Sequence, residues 1–134
     1  MILSGGLERG ITMFYNDRFD HLNEANIITG VYGDVNGDNI RDFVYLTGIR
    51  TPNSGYIKDI TLVIRDGRTG IKQRARLKSD SGYSPTITLQ DFSGDKIKDI
   101  MVGIASGGSG GIMFYYIFSD VNNQLKQLFD YEEY

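Results

Sequence analysis

The chain has no cysteine, no tryptophan, two prolines and one histidine in 134 residues. Without cysteine, disulfides, zinc–thiolate centres and thiol nucleophiles are excluded together, although the absence leaves the compartment open. The single imidazole, His21, sits beside Asp20 in a polar turn, so any Ser-His-Asp relay would have to pass through that one residue. No stretch approaches the roughly 18 consecutive apolar residues of a membrane helix. The N-terminus, Met1-Ile2-Leu3-Ser4-Gly5-Gly6, has neither the basic nor the apolar region of a secretion signal, so no signal peptide and no membrane partner are expected in this chain. Lys plus Arg is 14 against 17 for Asp plus Glu, and the basic residues form no dense cluster, which argues against a nucleic-acid partner. What is abundant is Gly, at 17, with nine Tyr and seven Phe among 40% apolar residues, the profile of a single β-rich domain with many turns.

An internal repeat dominates the sequence. Gly33-Asp34-Val35-Asn36-Gly37-Asp38-Asn39-Ile40-Arg41-Asp42-Phe43-Val44 returns, without a gap, as Gln90-Asp91-Phe92-Ser93-Gly94-Asp95-Lys96-Ile97-Lys98-Asp99-Ile100-Met101. Each copy leads into an alternating strand: Phe43, Tyr45 and Thr47 oppose Val44 and Leu46, while Ile100, Val102 and Ile104 oppose Met101 and Ala105. A Gly-rich link follows, then a second strand with Ile60, Leu62 and Ile64, or Phe114, Tyr116 and Phe118, on one face. Both copies next turn at an Asp. Asp66-Gly67 has the signal of a tight hairpin, and Asn122-Asn123 after Asp120 tolerates positive φ.

With the turn Asp as anchor, Ile11, Met13 and Tyr15 precede Asp17 as Ile60, Leu62 and Ile64 precede Asp66. The chain therefore reads as one all-β domain of about two and a half antiparallel repeats: a half repeat over 1–25, a repeat over 26–82 and another over 83–134. The strands are expected near 27–33, 42–49, 57–65 and 71–77, then 85–90, 99–105, 112–119 and 124–130. Two and a half units cannot close a propeller of 4–8 blades. The expected architecture is a partial propeller or a small two-sheet sandwich, with self-association as a way to cover exposed faces and edges.

The chemistry lies in the two acidic loops. Asp34, Asn36, Asp38 and Asp42 occupy positions 1, 3, 5 and 9, and Asp91, Ser93, Asp95 and Asp99 repeat the spacing. Oxygen-bearing side chains at alternate positions of a tight turn converge, and the carbonyl at position 7, from Ile40 or Ile97, joins them. Such all-oxygen cages suit Ca2+. Position 12 holds Tyr45 or Val102 rather than Glu, and strands flank the loops, so the EF-hand is a poor match. The six loop carboxylates exceed the whole net charge of −3, and carboxylates gathered in a small turn repel one another unless a cation neutralises them.

The run Asp34-Val35-Asn36-Gly37-Asp38-x-Ile40-x-Asp42 before an apolar strand, repeated at Asp91–Asp99, resembles the FG-GAP and VCBS calcium-loop repeats of integrin α-chain propellers and many bacterial surface proteins. The resemblance implies four-stranded blades with a calcium loop between the first two strands. It carries ligand positions to Asp34, Asn36, Asp38, Ile40 and Asp42, and to Asp91, Ser93, Asp95, Ile97 and Asp99. It also implies placement on a bacterial surface, a spore or outside the cell. The sequence departs from the pattern at position 6, where Gly is usual and Asn39 or Lys96 stands. The second loop adds Ser93 for an amide and the charges of Lys96 and Lys98, so the first loop is expected to bind calcium more tightly.

Competing readings exist for each feature. Asp, Asn, Ser and Gly suit any turn, which would leave the loops metal-free in a protein-interaction domain. Clustered carboxylates also serve carbohydrate-active and other hydrolytic enzymes. Ser106-Gly107-Gly108-Ser109-Gly110-Gly111 lacks the Lys-Ser/Thr and helix of a phosphate loop and reads as a connection. Phe114, Tyr115, Tyr116 and Phe118 suit a sugar-stacking face or a core. The expectation drawn from these features is a non-catalytic, calcium-binding β-repeat module with an unidentified protein or carbohydrate partner.

Overall fold

A computed structural model describes residues 26–107 and 111–130. Eight strands follow in chain order: β1 (Ile27–Gly33), β2 (Asp42–Arg50), β3 (Ile57–Arg65), β4 (Lys72–Arg76), β5 (Tyr83–Gln90), β6 (Asp99–Ala105), β7 (Met113–Val121) and β8 (Gln124–Asp130). They form two four-stranded antiparallel meanders, β1-β2-β3-β4 and β5-β6-β7-β8. The all-β architecture and the duplication into two like sheets follow the repeat, and the strands fall within two residues of the expected bounds. Gly33 pairs with Asp42 and Gln90 with Asp99, so the two acidic loops close the β1–β2 and β5–β6 hairpins at equivalent register. The expected half repeat over 1–25, with His21, and the tail beyond Asp130 lie outside the described residues.

The β7–β8 turn is the expected one. Asn122 and Asn123 both take positive φ, 53° and 63°, the two-residue geometry whose twist matches flanking strands. The β3–β4 connection differs from the tight Asp-Gly hairpin. Four residues lie between Asp66 and Ile71, whose backbones pair at 2.9 Å, and Gly70 takes the positive φ at 77°. Gly67 serves another purpose: a Cβ there would overlap the Arg41 carbonyl oxygen, so only glycine lets this turn lie against the first acidic loop.

The core lies between the sheets. Val44, Leu46, Leu62 and Ile64 from the first meet Ile100, Val102, Ile104, Tyr116 and Phe118 from the second in one buried cluster. Burying each large aliphatic side chain stabilises the fold by about 1.5–3 kcal/mol. Phe114, Tyr116 and Phe118 are therefore packing residues rather than a sugar-binding face. β1 lies against β5 and β4 against β8, so like strands stack. Equivalent faces do not meet, however. Val44 stands two residues after Asp42, whereas Ile100 stands one residue after Asp99, so each sheet contributes the opposite face of the repeated unit. The link between the sheets is tied down by Tyr116, whose hydroxyl accepts from the Ser79 amide at 2.8 Å. The Ile57 and Gly82 backbones also pair across it.

Candidate functional site

Both acidic loops fold alike, and the ninth-position aspartate explains why. Asp42 is fully buried; its Oδ2 accepts from the Val35 amide and its Oδ1 from the Gly67 amide, each at 2.9 Å. One carboxylate thus joins the first loop to the β3–β4 turn. Asp99 is equally buried, and its Oδ2 accepts from the Phe92 and Ser93 amides at 2.7 and 2.9 Å. No Gly67-like amide reaches its Oδ1, which is buried without a hydrogen-bond partner.

The first-position aspartates hold the loops closed. Asp34 accepts from the Asn36, Gly37 and Asn39 amides, and Asp91 from the Gly94 and Lys96 amides. These bonds, led by that from Lys96, hold the Asp91 carboxyl below its ordinary range. The tight winding requires left-handed backbone at position 6, where Asn39 has φ 67° and Lys96 φ 72°. Asn36 Oδ1 and Asp38 Oδ1 each accept from the amide two residues on, at 3.2 and 2.9 Å, and Asp95 does the same for Ile97. The sequence-predicted side chains at positions 1, 3, 5 and 9 are thus brought into two compact turns. The Ile97 side chain reaches across to lie beside Gly37 of the first loop.

The two loops differ in their surroundings. The first lies at the seam between the sheets, with Asp34, Asn36 and Asp38 half-buried, whereas Ser93, Asp95 and Lys96 in the second are exposed. Asp38 Oδ2 is buried without a hydrogen-bond partner, and its nearest cation is the Arg68 Nε at 3.6 Å, on a side chain 60% exposed. An ion pair so open to water contributes little. Asn36 Nδ2 donates to Asp66 Oδ1 at 3.4 Å.

Two aspartates that read in the sequence only as turn residues belong to this seam. Asp66 directly follows β3 and opens the β3–β4 turn, while Asp120 lies within β7 and continues the inward alternation of Phe114, Tyr116 and Phe118. Asp120 is 6% exposed; Gln73 Nε2 of β4 donates to its Oδ2 at 3.3 Å, and its Oδ1 has no partner. Gln73 also accepts from the Leu125 amide at 3.0 Å, crossing from one sheet to the other. Burial raises the Asp120 carboxyl, the Gln73 bond opposes this, and the Asp66 and Asp38 charges add to it. Burial also raises Asp42, against the Gly67 and Val35 amides and with the Asp66 and Asp38 charges. Burial acts on Asp66 in the same sense, but hydrogen bonds donated by Thr69, Arg68 and Asn36 outweigh it and hold that carboxyl low. Among the described residues, no three His, Cys, Asp or Glu side chains already stand in position to hold a metal ion.

Beside the same turn, Tyr32 is 64% exposed and stacks on Phe43 at 4.6 Å, while Arg41 lies over the Tyr32 ring at 5.7 Å. These three residues, with Arg65 and Arg68, line an open cleft of about 460 Å³ on the side of the sheet away from the core.

The chain is 46% identical over 104 residues to the uncharacterized protein YybI of Bacillus subtilis strain 168. The match takes in 78% of this chain and 40% of YybI, so the chain spans well under half the length of the curated relative it matches. No protein-family model matches the chain, and no solved structure matches it.

Proposed function

We propose that the protein is a non-catalytic, calcium-stabilised β-repeat module of the FG-GAP/VCBS type, with a structural or binding role in a bacterial surface, spore or extracellular protein. The observation that carries this reading is the buried Asp38 Oδ2 in a half-buried acidic loop, which has no hydrogen-bond partner and is met only by the exposed Arg68 at 3.6 Å. A buried carboxylate oxygen with no donor is costly, and a hard cation bound by oxygen ligands relieves that cost. Asp34, Asn36, Asp38, Asp42 and the Ile40 carbonyl supply only oxygen donors, which fits calcium rather than a softer metal. The head-to-tail packing of unlike faces supports blade-like units, because successive blades of a propeller stack in that manner. The exposure of the second loop and its Lys96 and Lys98 support a weaker site at Asp91, Ser93, Asp95, Ile97 and Asp99.

A metal-free reading also has an observation in its favour, since Asp34 and Asp91 already spend their oxygens on loop amides. Thermal unfolding of the calcium-stripped protein separates the two. Adding about 1 mM CaCl2, a concentration near ten to a hundred times the Kd of a moderate site, should stabilise the fold by about 1.4–2.7 kcal/mol. Magnesium should do less, Asp38→Ala should abolish the effect and Asp95→Ala should trim it. Equal midpoints with and without calcium would leave the loops as plain turns and overturn the proposal.

A further inference from the structure

The cleft of about 460 Å³ on the outer face of the first sheet has a volume usual for small-molecule sites, and its charged lining is mostly cationic. Arg41 comes from the first acidic loop, Arg65 from the end of β3 and Arg68 from the β3–β4 turn. Contacts join them into one wall. Arg41 lies over the Tyr32 ring at 5.7 Å, Tyr32 stacks on Phe43 at 4.6 Å, and Phe43 pairs in register with Arg65. The turn that carries Arg68 lies against the Arg41 carbonyl at Gly67.

Asp66 is the one carboxylate among the described residues of this lining, and its oxygens are already engaged. Its Oδ1 accepts from the Arg68 amide at 3.2 Å and from Asn36 Nδ2 at 3.4 Å, and its Oδ2 from the Thr69 hydroxyl at 2.6 Å. Arg41 pairs with no carboxylate among the described residues, and Arg68 Nε approaches Asp38 only to 3.6 Å from an exposed position. Three guanidiniums against one carboxylate leave an excess of two positive charges. A guanidinium whose face rests on an aromatic ring keeps its N–H edge for an oxyanion.

We propose that this cleft binds a small hydroxylated phosphate monoester, of the sugar-phosphate class, with Arg41, Arg65 and Arg68 around the phosphate. The charge excess matches a monoester, which carries about −1.5 to −2 at neutral pH and offers three oxygens, one for each guanidinium. A carboxylate offers one charge and two oxygens. The cleft has room beyond the phosphate, and the hydroxyls of Tyr32 and Thr69 in its lining suit a hydroxylated rather than an apolar remainder. The site uses none of the oxygens assigned to calcium, so it stands apart from the calcium reading.

Calorimetric titration of the full calcium-stripped chain with glucose 6-phosphate tests this, with inorganic phosphate, glucose and citrate as comparisons. Binding of glucose 6-phosphate with a Kd of about 1 mM or below is expected, tighter than that of inorganic phosphate, with no uptake of glucose. Arg41→Gln and Arg68→Gln should each weaken it about fivefold or more. Arg41→Lys should do the same, because an ammonium lacks the planar fork. Lys58→Gln, at the other end of β3, should leave the Kd within about twofold. Arg68 lies on an exposed turn, so its variant keeps the proposal falsifiable should Arg41→Gln fail to fold. No uptake of glucose 6-phosphate at about 10 mM, citrate bound as tightly, or equal losses in Lys58→Gln and Arg68→Gln would overturn the site. Inorganic phosphate bound as tightly as the monoester would overturn the sugar-phosphate class. Because the titration is free of calcium, its failure leaves the calcium reading intact, and failure of that reading leaves this site intact.

Discussion

Asp42→Asn and Asp99→Asn are the same change at equivalent positions of the repeat, and the structure assigns them different costs. Asp42 uses both oxygens as acceptors, for Val35 and Gly67. An amide in its place turns an N–H donor towards one of those backbone donors, so one charge-assisted bond is lost and a buried amide hydrogen is stranded. The loss is about 1.5–3 kcal/mol, offset in part because a neutral side chain escapes the burial penalty and the Asp66 and Asp38 repulsion that raise Asp42. A net cost of about 1–2 kcal/mol follows. Asp99 uses only Oδ2, for Phe92 and Ser93, and leaves Oδ1 without a partner. Its amide can present the oxygen to both donors, and the NH2 is stranded only where an equally unpartnered buried oxygen stood, so one deficit replaces another and the expected cost is within about 0.5 kcal/mol. Urea unfolding in EDTA reads the difference as a midpoint lowered by about 0.5–1 M for Asp42→Asn alone, at unchanged slope. Equal losses in the two variants, or a larger loss at Asp99, would refute the assignment of Asp42 as the tie between loop and turn.

Other substitutions probe the same geometry. Lys96 pays for a left-handed backbone that glycine adopts freely, so Lys96→Gly should raise stability by about 0.5–1 kcal/mol in chemical denaturation, while a loss would contradict the φ assignment. Gly67→Ala should destabilise by about 2 kcal/mol or more, since its methyl overlaps the Arg41 carbonyl. Gly70→Ala, which meets nothing within 4 Å, should cost only about 1 kcal/mol of backbone strain. The acid limb is informative in calcium-free buffer. Asp42 and Asp120 have folded pKa values raised above 3.8, so their contribution is fully present below 3.8 and is lost as pH rises through the folded values. Asp66 and Asp91 lie below 3.8, so their contribution is lost as pH falls through their lower folded values. Urea midpoints should therefore climb as pH falls through the raised folded values of Asp42 and Asp120 towards 3.8 and drop as it falls on through the lowered values of Asp66 and Asp91, and calcium should flatten the climb. A steady decline from neutrality downwards would count against these assignments.

Much of this was legible in the residues. Alternation put Val44 and Leu46 on one face of their strand and Ile100 and Val102 on one face of theirs, though which face is buried only the packing shows, and the duplicated Asp spacing marked both hairpin loops. Asn122-Asn123 announced its turn because two adjacent asparagines accept positive φ. Gly67 misled because Asp-Gly signals a local turn, whereas its requirement here is a non-local approach to Arg41. Asp120 could not be recognised as buried because its burial and its Gln73 partner depend on which faces of the two sheets meet. The repeat makes the sheets alike, but a one-residue shift in burial relative to the loop decides that unlike faces pack. The same shift places the first loop in the seam and leaves the second in solvent, a difference that the loop residues suggested only through Lys96 and Lys98.

The most direct test of a metal-stabilised repeat is a crystal structure of the chain grown with calcium, with anomalous scattering recorded from a lanthanide exchanged into the same crystals. The account predicts a strong peak at the first loop, within reach of Asp38, and a weaker one or none at Asp91–Asp99. Loops closed on their own amides as described, with no peak within reach of Asp38, would contradict it.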